Sequence, residues 1–99
     1  MMHPRRMVTI VTEAALERDL TLELDALGAR GYTIADVRGR GSRGIRSADW
    51  APAGNIRVEV ICDADTAERI AERIRARFYD HYAMILFVQD VSVLRPEKF

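Results

Sequence analysis

The chain has 99 residues, of which 48% are hydrophobic and 30% charged, with 15 Lys+Arg balanced by 15 Asp+Glu. That is enough chain for one core, not two, and too apolar a composition for disorder. Zero net charge argues against a protein that works by bulk attraction to nucleic acid or anionic lipid. The single cysteine, Cys62, excludes an intramolecular disulfide and a cysteine-rich metal cage. The apolar runs Met7–Val11 and Ala83–Val88 are too short for a membrane span. Arg5 and Arg6 are not followed by an apolar stretch of signal length, so a cytoplasmic protein is expected.

Met7–Thr12 is β-branched and apolar and predicts a strand buried on both faces, with Thr12 capping the helix after it. From Glu13 to about Ala29, Leu16, Leu20, Leu24 and Leu27 share one helical face, and Gly28 and Gly31 stop the helix. Glu17, Asp19, Glu23 and Asp25 fall mostly on the solvent side. Tyr32–Val37 is strand-like, and a loop runs from there through Asn55. Ile56–Cys62 predicts a third strand. Asp63 and Asp65 open a second helix, where Asp65-Thr-Ala-Glu68 has capping-box spacing. Ala67, Ile70, Ala71, Ile74 and Phe78 form that helix's buried face, and Arg69, Arg73 and Arg77 a solvated one. Ala83–Val88 is the fourth strand, which Val91–Leu94 extends or leaves to pair separately, and Pro96 ends the ordered chain.

The order β-α-β-(loop)-β-α-β predicts an α+β, ferredoxin-like domain over 1–99. It is a four-stranded antiparallel sheet with both helices on one face. The bare face would then be closed by self-association, as a trimer or dimer.

One segment concentrates chemistry. Arg38–Ser47 holds three glycines, four arginines and no acid. Glycines let a backbone approach an anion, and arginines add bidentate contacts to phosphate. A solvated, glycine-turned hairpin explains the same composition equally well. The run is neither a Walker A loop nor a dinucleotide fingerprint. Elsewhere, His81 lacks partners for catalysis or metal binding and is read as a surface or intersubunit turn. Cys62 is read as a buried small hydrophobe, and Glu59 as a structural carboxylate with an arginine of another subunit as a plausible partner. Trp50 anchors its own loop or offers a hot spot to a partner.

Gly31-Tyr-Thr-Ile34, Gly39-x-Gly41 and Ile56–Ile61 resemble the PII nitrogen-regulatory superfamily. Gly-Ser-Arg-x-x-Arg-Ser (Gly41 to Ser47) and Tyr79–Ala83 resemble its PII-like branch, associated with bicarbonate transporters and carboxysomes. The resemblance spans about residues 7–95 and implies a homotrimer without enzymatic activity. Adenine nucleotides, AMP or ADP, with ATP also considered, would bind in intersubunit clefts, with bicarbonate as a further ligand. No metal or cofactor, nucleic acid or direct membrane insertion is implied. The partner would be a bicarbonate transporter or carboxysome-linked protein, read through a mobile T-loop, residues 42–55. By position, Thr33 and the backbone near Ile61 would meet adenine. Gly39, Gly41, Ser42, Arg43, Arg46 and Ser47 would hold phosphate, with Arg95 a further phosphate candidate. Tyr82, Ala83 and Met84 would come from a neighbouring subunit as a short B-loop.

The Gly-Asp-Gly-Lys B-loop of nitrogen-sensing members is absent, the T-loop has no tyrosine, and Met84 replaces a glycine. Repulsion among Arg38, Arg40, Arg43 and Arg46 would keep the empty loop disordered, and a bound phosphate would order it. Competing readings are a metal-tolerance trimer of the same fold, an acylphosphatase-like hydrolase and an RNA-binding module. Ligand spacing for a metal is missing, Asn55 is the only asparagine to position a water, and the strands lack interleaved aromatics.

Overall fold

A computed structural model of the chain describes residues 1–41, 44–45 and 54–99. The elements are β1 (His3–Glu13), α1 (Glu17–Ala26), β2 (Thr33–Val37), β3 (Arg40–Gly41), β4 (Gly44–Ile45), β5 (Asn55–Cys62), α2 (Ala64–Phe78) and β6 (Ile85–Val93). Four strands form one antiparallel sheet in the order β2-β5-β1-β6, and β3 and β4 pair as a separate ribbon. This is the ferredoxin-like arrangement. β1 is central because it pairs on both sides, from Arg6 to Glu13 with β5 and from His3 to Val11 with β6.

Alternation along the strands divides the two faces. Val8 and Ile10 of β1 and Ile56, Val58, Val60 and Cys62 of β5 are buried with Leu16, Leu20 and Leu24 from the first helical segment and Ala67, Ile70, Ile74 and Phe78 from α2. The opposite face carries Met7, Thr9 and Val11 on β1, flanked in register by Arg57, Glu59 and Ile61 on β5 and by Ile85, Phe87 and Gln89 on β6. On the outer strand of that face, Ile85 and Phe87 are 46% and 44% exposed.

Several local expectations are corrected. β1 starts before Met7, and Pro4 lies inside it, beyond the last β5 partner, where only β6 flanks the strand. Its two faces are unequal, since Met7 and Val11 are only half-buried. Thr12 does not cap α1: its hydroxyl donates to the carbonyl of Ala83 at 3.2 Å. A 3-10 turn, Ala14–Leu16, precedes α1, and neither turn nor helix has a side-chain cap. α1 ends at Ala26, and the left-handed Gly28 (φ +86°) completes the stop.

The cap of α2 is Asp63, not Asp65, because the Asp63 side chain accepts the Thr66 N–H at 2.7 Å. β6 is continuous through Val93, since β1 provides a partner for each of its residues. Past it, Pro96–Lys98 forms a 3-10 turn rather than a chain end, pinned where Arg5 donates to the Pro96 carbonyl and Arg30 to that of Glu97.

The loop expected over 42–55 ends earlier, because Asn55 is buried as the first residue of β5. Gly54, with φ +75°, makes the entry, its carbonyl accepting the Ala14 N–H at 2.9 Å. A side chain at this φ would be strained. Gly44–Ile45, also inside the expected loop, pairs with β3. The roles expected of Ser42, Arg43, Arg46, Ser47 and Trp50, and the expected disorder of the empty loop, lie outside the described residues.

The arginine face of α2 is not simply solvated. Glu23 of α1 is buried, and it accepts from Arg73 at 3.4 Å and from Arg77. Arg77 also lies over the Phe78 ring, 5.3 Å from its centroid. The two helices are thus joined by a desolvated carboxylate between two half-exposed guanidinium groups. Such a pair is asymmetric: removing the cations strands a buried charge, whereas neutralising the carboxylate lets the arginines return to water.

The double variant Arg73→Ala/Arg77→Ala should therefore lose roughly 3 kcal/mol in urea denaturation. Adding Glu23→Gln should recover much of that; no recovery would contradict a buried charge as the cause. Asp63→Ala should cost about 1 kcal/mol at neutral pH, and Asp63→Asn far less. The Asp63 carboxyl is held below its ordinary pKa, first by the Thr66 N–H bond. Its contribution is therefore present above the usual carboxylate range and fades as pH falls through the lowered value. The cost of Asp63→Ala should shrink towards acid in pH-dependent melts.

Candidate functional site

The predicted ligand residues fall into three places. The first is the β2 edge. Thr33 opens β2 opposite Glu59, on the face without helices, followed in register by Ala35 opposite Arg57 and Val37 opposite Asn55. Ile61 lies one step beyond Glu59 on the same face, opposite Met7 and half-buried. Thr33 is exposed. Beyond Val37 come Gly39, with open space around it, and Gly41, which ends β3 in register with Gly44. Thr33 on the edge strand β2 and Ile61 on its neighbour β5 thus lie towards one end of the sheet, and Gly39 and Gly41 come after the other end of β2. Glu59 has a cation on its own strand, Arg57 at 3.6 Å.

The second place is the turn between α2 and β6, which holds Tyr82, Ala83 and Met84. It stands at the same end of the sheet as Gly39 and Gly41, because β6 begins opposite Val11, where β1 ends and β5 begins. It lies on the opposite edge, however: β5 and β1 separate β2 from β6. Three strand spacings are about 14 Å. Tyr82 is exposed, Ala83 half-buried, and Met84 buried in the core of its own chain. Met84 therefore offers its backbone rather than its side chain. The turn is tightly held. The Phe78 carbonyl accepts both the His81 and Tyr82 N–H at 3.1 Å, and the Tyr79 hydroxyl accepts the Leu86 N–H at 2.8 Å. The Phe78 and Tyr82 rings meet at 6.1 Å. Sequence reasoning missed Tyr79 and Thr12 as the side chains that fix this turn. Neither carries a local signal, since each acts across the fold.

The third place is the far end of the sheet. Arg95 is exposed at the head of the C-terminal turn, a full β6 length from Met84. Among the described residues of one chain it is brought together with neither Gly39 and Gly41 nor the Tyr82–Met84 turn. Cys62 is buried, and burial first, then the charge of Asp63, pushes its thiol pKa up. It is a poor nucleophile there. His3 and His81 lie at opposite ends of the β1–β6 pair and do not converge.

A profile of the family described as nitrogen regulatory protein P-II matches residues 5–98. The chain is 33% identical over 98 residues to nitrogen regulatory protein P-II 1 of Methanothermobacter thermautotrophicus, covering 88% of this chain and 83% of that one. Among solved structures, a PII-like signalling protein from Thermus thermophilus superposes with a TM-score of 0.85 at 48% identity, over 99% of this chain and 97% of that one. CPII from Thiomonas intermedia K12, a nitrogen regulatory PII-like protein bound to ADP, AMP and bicarbonate, superposes with a TM-score of 0.90 at 26% identity, over 100% and 96% of the two chains. The chain belongs to the P-II family of nitrogen regulatory proteins.

Proposed function

We propose that this protein is a non-enzymatic, cytoplasmic sensor of adenine nucleotides, AMP or ADP, that works as a homotrimer with one site in each cleft between protomers. The observation that carries the reading is the strand order. Thr33 and the glycines that follow β2 belong to one edge strand, with Ile61 on the strand beside it, and the Tyr82–Met84 turn leads into the other edge strand, β6. A ligand touching both groups is held by two protomers. The face without helices supports self-association. It leaves Ile85 and Phe87 half-exposed, and Thr9 Oγ1 is buried there without a hydrogen-bond partner among the described residues. The ADP, AMP and bicarbonate bound by CPII support the ligand class.

In this reading Thr33 and the backbone at Ile61 receive adenine. Gly39, Gly41, Ser42, Arg43, Arg46 and Ser47 receive phosphate, and Tyr82, Ala83 and the backbone of Met84 close the cleft from the neighbour. Arg95, which follows the C-terminal end of β6, is a further phosphate ligand only where another protomer brings that end to the cleft. Charge-assisted hydrogen bonds contribute about 1.5–3 kcal/mol each. Three or four of them outweigh the ordering of a short arginine-rich segment, so phosphate shifts the segment before β5 towards a bound form. That form is what a target protein reads. Bicarbonate as co-ligand would make the target a protein of inorganic-carbon uptake or fixation, such as a transporter or a carboxysome-linked protein.

Calorimetric titration with AMP, ADP and ATP, each with and without bicarbonate, tests the reading. Saturable binding is expected for AMP or ADP without turnover, and Arg43→Ala/Arg46→Ala should weaken it at least about tenfold. No binding of any of the three nucleotides, or unchanged affinity in the double variant, would overturn it.

A further inference from the structure

The turn that precedes β6 is built differently from a glycine loop that folds around its ligand. Residues 79–84 contain no glycine or proline. Each part of the segment is tied to an element outside it. At its start, the Tyr79 N–H donates to the Arg75 carbonyl at 3.3 Å, and the Phe78 carbonyl takes two turn N–H groups. At its end, the fully buried Thr12 donates to the Ala83 carbonyl, and Met84 is anchored in the core. The Tyr79 hydroxyl bridges the two ends by accepting the Leu86 N–H on the open edge of β6. Without that hydroxyl, the Leu86 N–H would have no partner from the turn.

We propose that Tyr79 is a positioning residue for nucleotide binding. Its hydroxyl holds the Tyr82–Met84 segment in the shape that the neighbouring protomer's ligand meets, so that little ordering remains to be done when the nucleotide arrives. The inference rests on the nucleotide reading above. Tyr79 is only half-exposed and its hydroxyl is already engaged, so it acts through the turn. A preordered turn lowers the entropic cost of binding, and loosening it raises the dissociation constant even though no ligand contact is deleted.

The test is a calorimetric double-mutant cycle on the full-length protein with AMP as the probe. Tyr79→Phe, which deletes one oxygen, should weaken AMP binding about fivefold, the scale of one hydrogen bond. In a Tyr82→Ala background the same change should cost clearly less, because one of the contacts that the turn positions is already gone. Ile74→Val, which loosens the buried core away from the turn, should leave AMP affinity unchanged and controls for general destabilisation. Normal AMP affinity in Tyr79→Phe, or an equal further loss in the Tyr82→Ala background, would overturn the positioning role alone. Failure of the unmodified protein to bind AMP or ADP would overturn the nucleotide reading, and this proposal with it.

Discussion

The placement of β2 and β6 on opposite edges of a four-stranded sheet governs what the molecule can do. β1 and β5 fill the centre, pair fully and bury their alternate residues under α1 and α2. At the rims, glycines and arginines follow β2 in the chain and a pinned turn precedes β6. Because β-strands cannot bend across two neighbours, the two rims of one chain do not converge. In the proposed reading a site that uses both is completed by a second copy, and the helix-free face, with its half-exposed Phe87 and Ile85, is the surface that supports such an assembly.

The helices keep this frame rigid by different means. α2 carries a proper cap at Asp63 and lays four residues, Ala67, Ile70, Ile74 and Phe78, into the core. α1 has no side-chain cap and is short, and it is held through Leu20, Leu24 and the buried Glu23 carboxylate between Arg73 and Arg77. The same Arg77 reaches over Phe78, whose carbonyl and ring support the following turn. The contact that joins the helices, at Arg77, therefore lies five residues before Tyr82 and next to the residue whose carbonyl holds the turn.

Element order and face assignment were legible in the residues, because apolar spacing of four, four and three at Leu16, Leu20, Leu24 and Leu27 and alternation along Ile56–Val60 report directly on burial. The resemblance of Gly39-x-Gly41 and of Gly41 to Ser47 to PII proteins pointed to the family. Illegible were the features decided by distant partners. Thr12 looks like a helix cap but bonds to Ala83, 71 positions on. Arg73 and Arg77 look solvated until α1 brings Glu23 to them. Asp63 rather than Asp65 caps α2 because the backbone leaves β5 one residue after Cys62, and capping-box spacing alone cannot choose between them. Tyr79 reads as an ordinary aromatic, and its role depends on the register of β6.

Subunit complementation measures the central claim most directly. One protein carries Arg43→Ala/Arg46→Ala, which disables the β2 rim, and the other Ala83→Asp, which sets a negative charge in the turn. The account predicts that neither binds AMP alone, and that refolding an equal mixture together restores binding at about a quarter of the sites, those that combine an intact rim with an intact turn from the neighbour. No recovery in mixed trimers, whose formation is verified by mass spectrometry, would place both groups in a single protomer and contradict it.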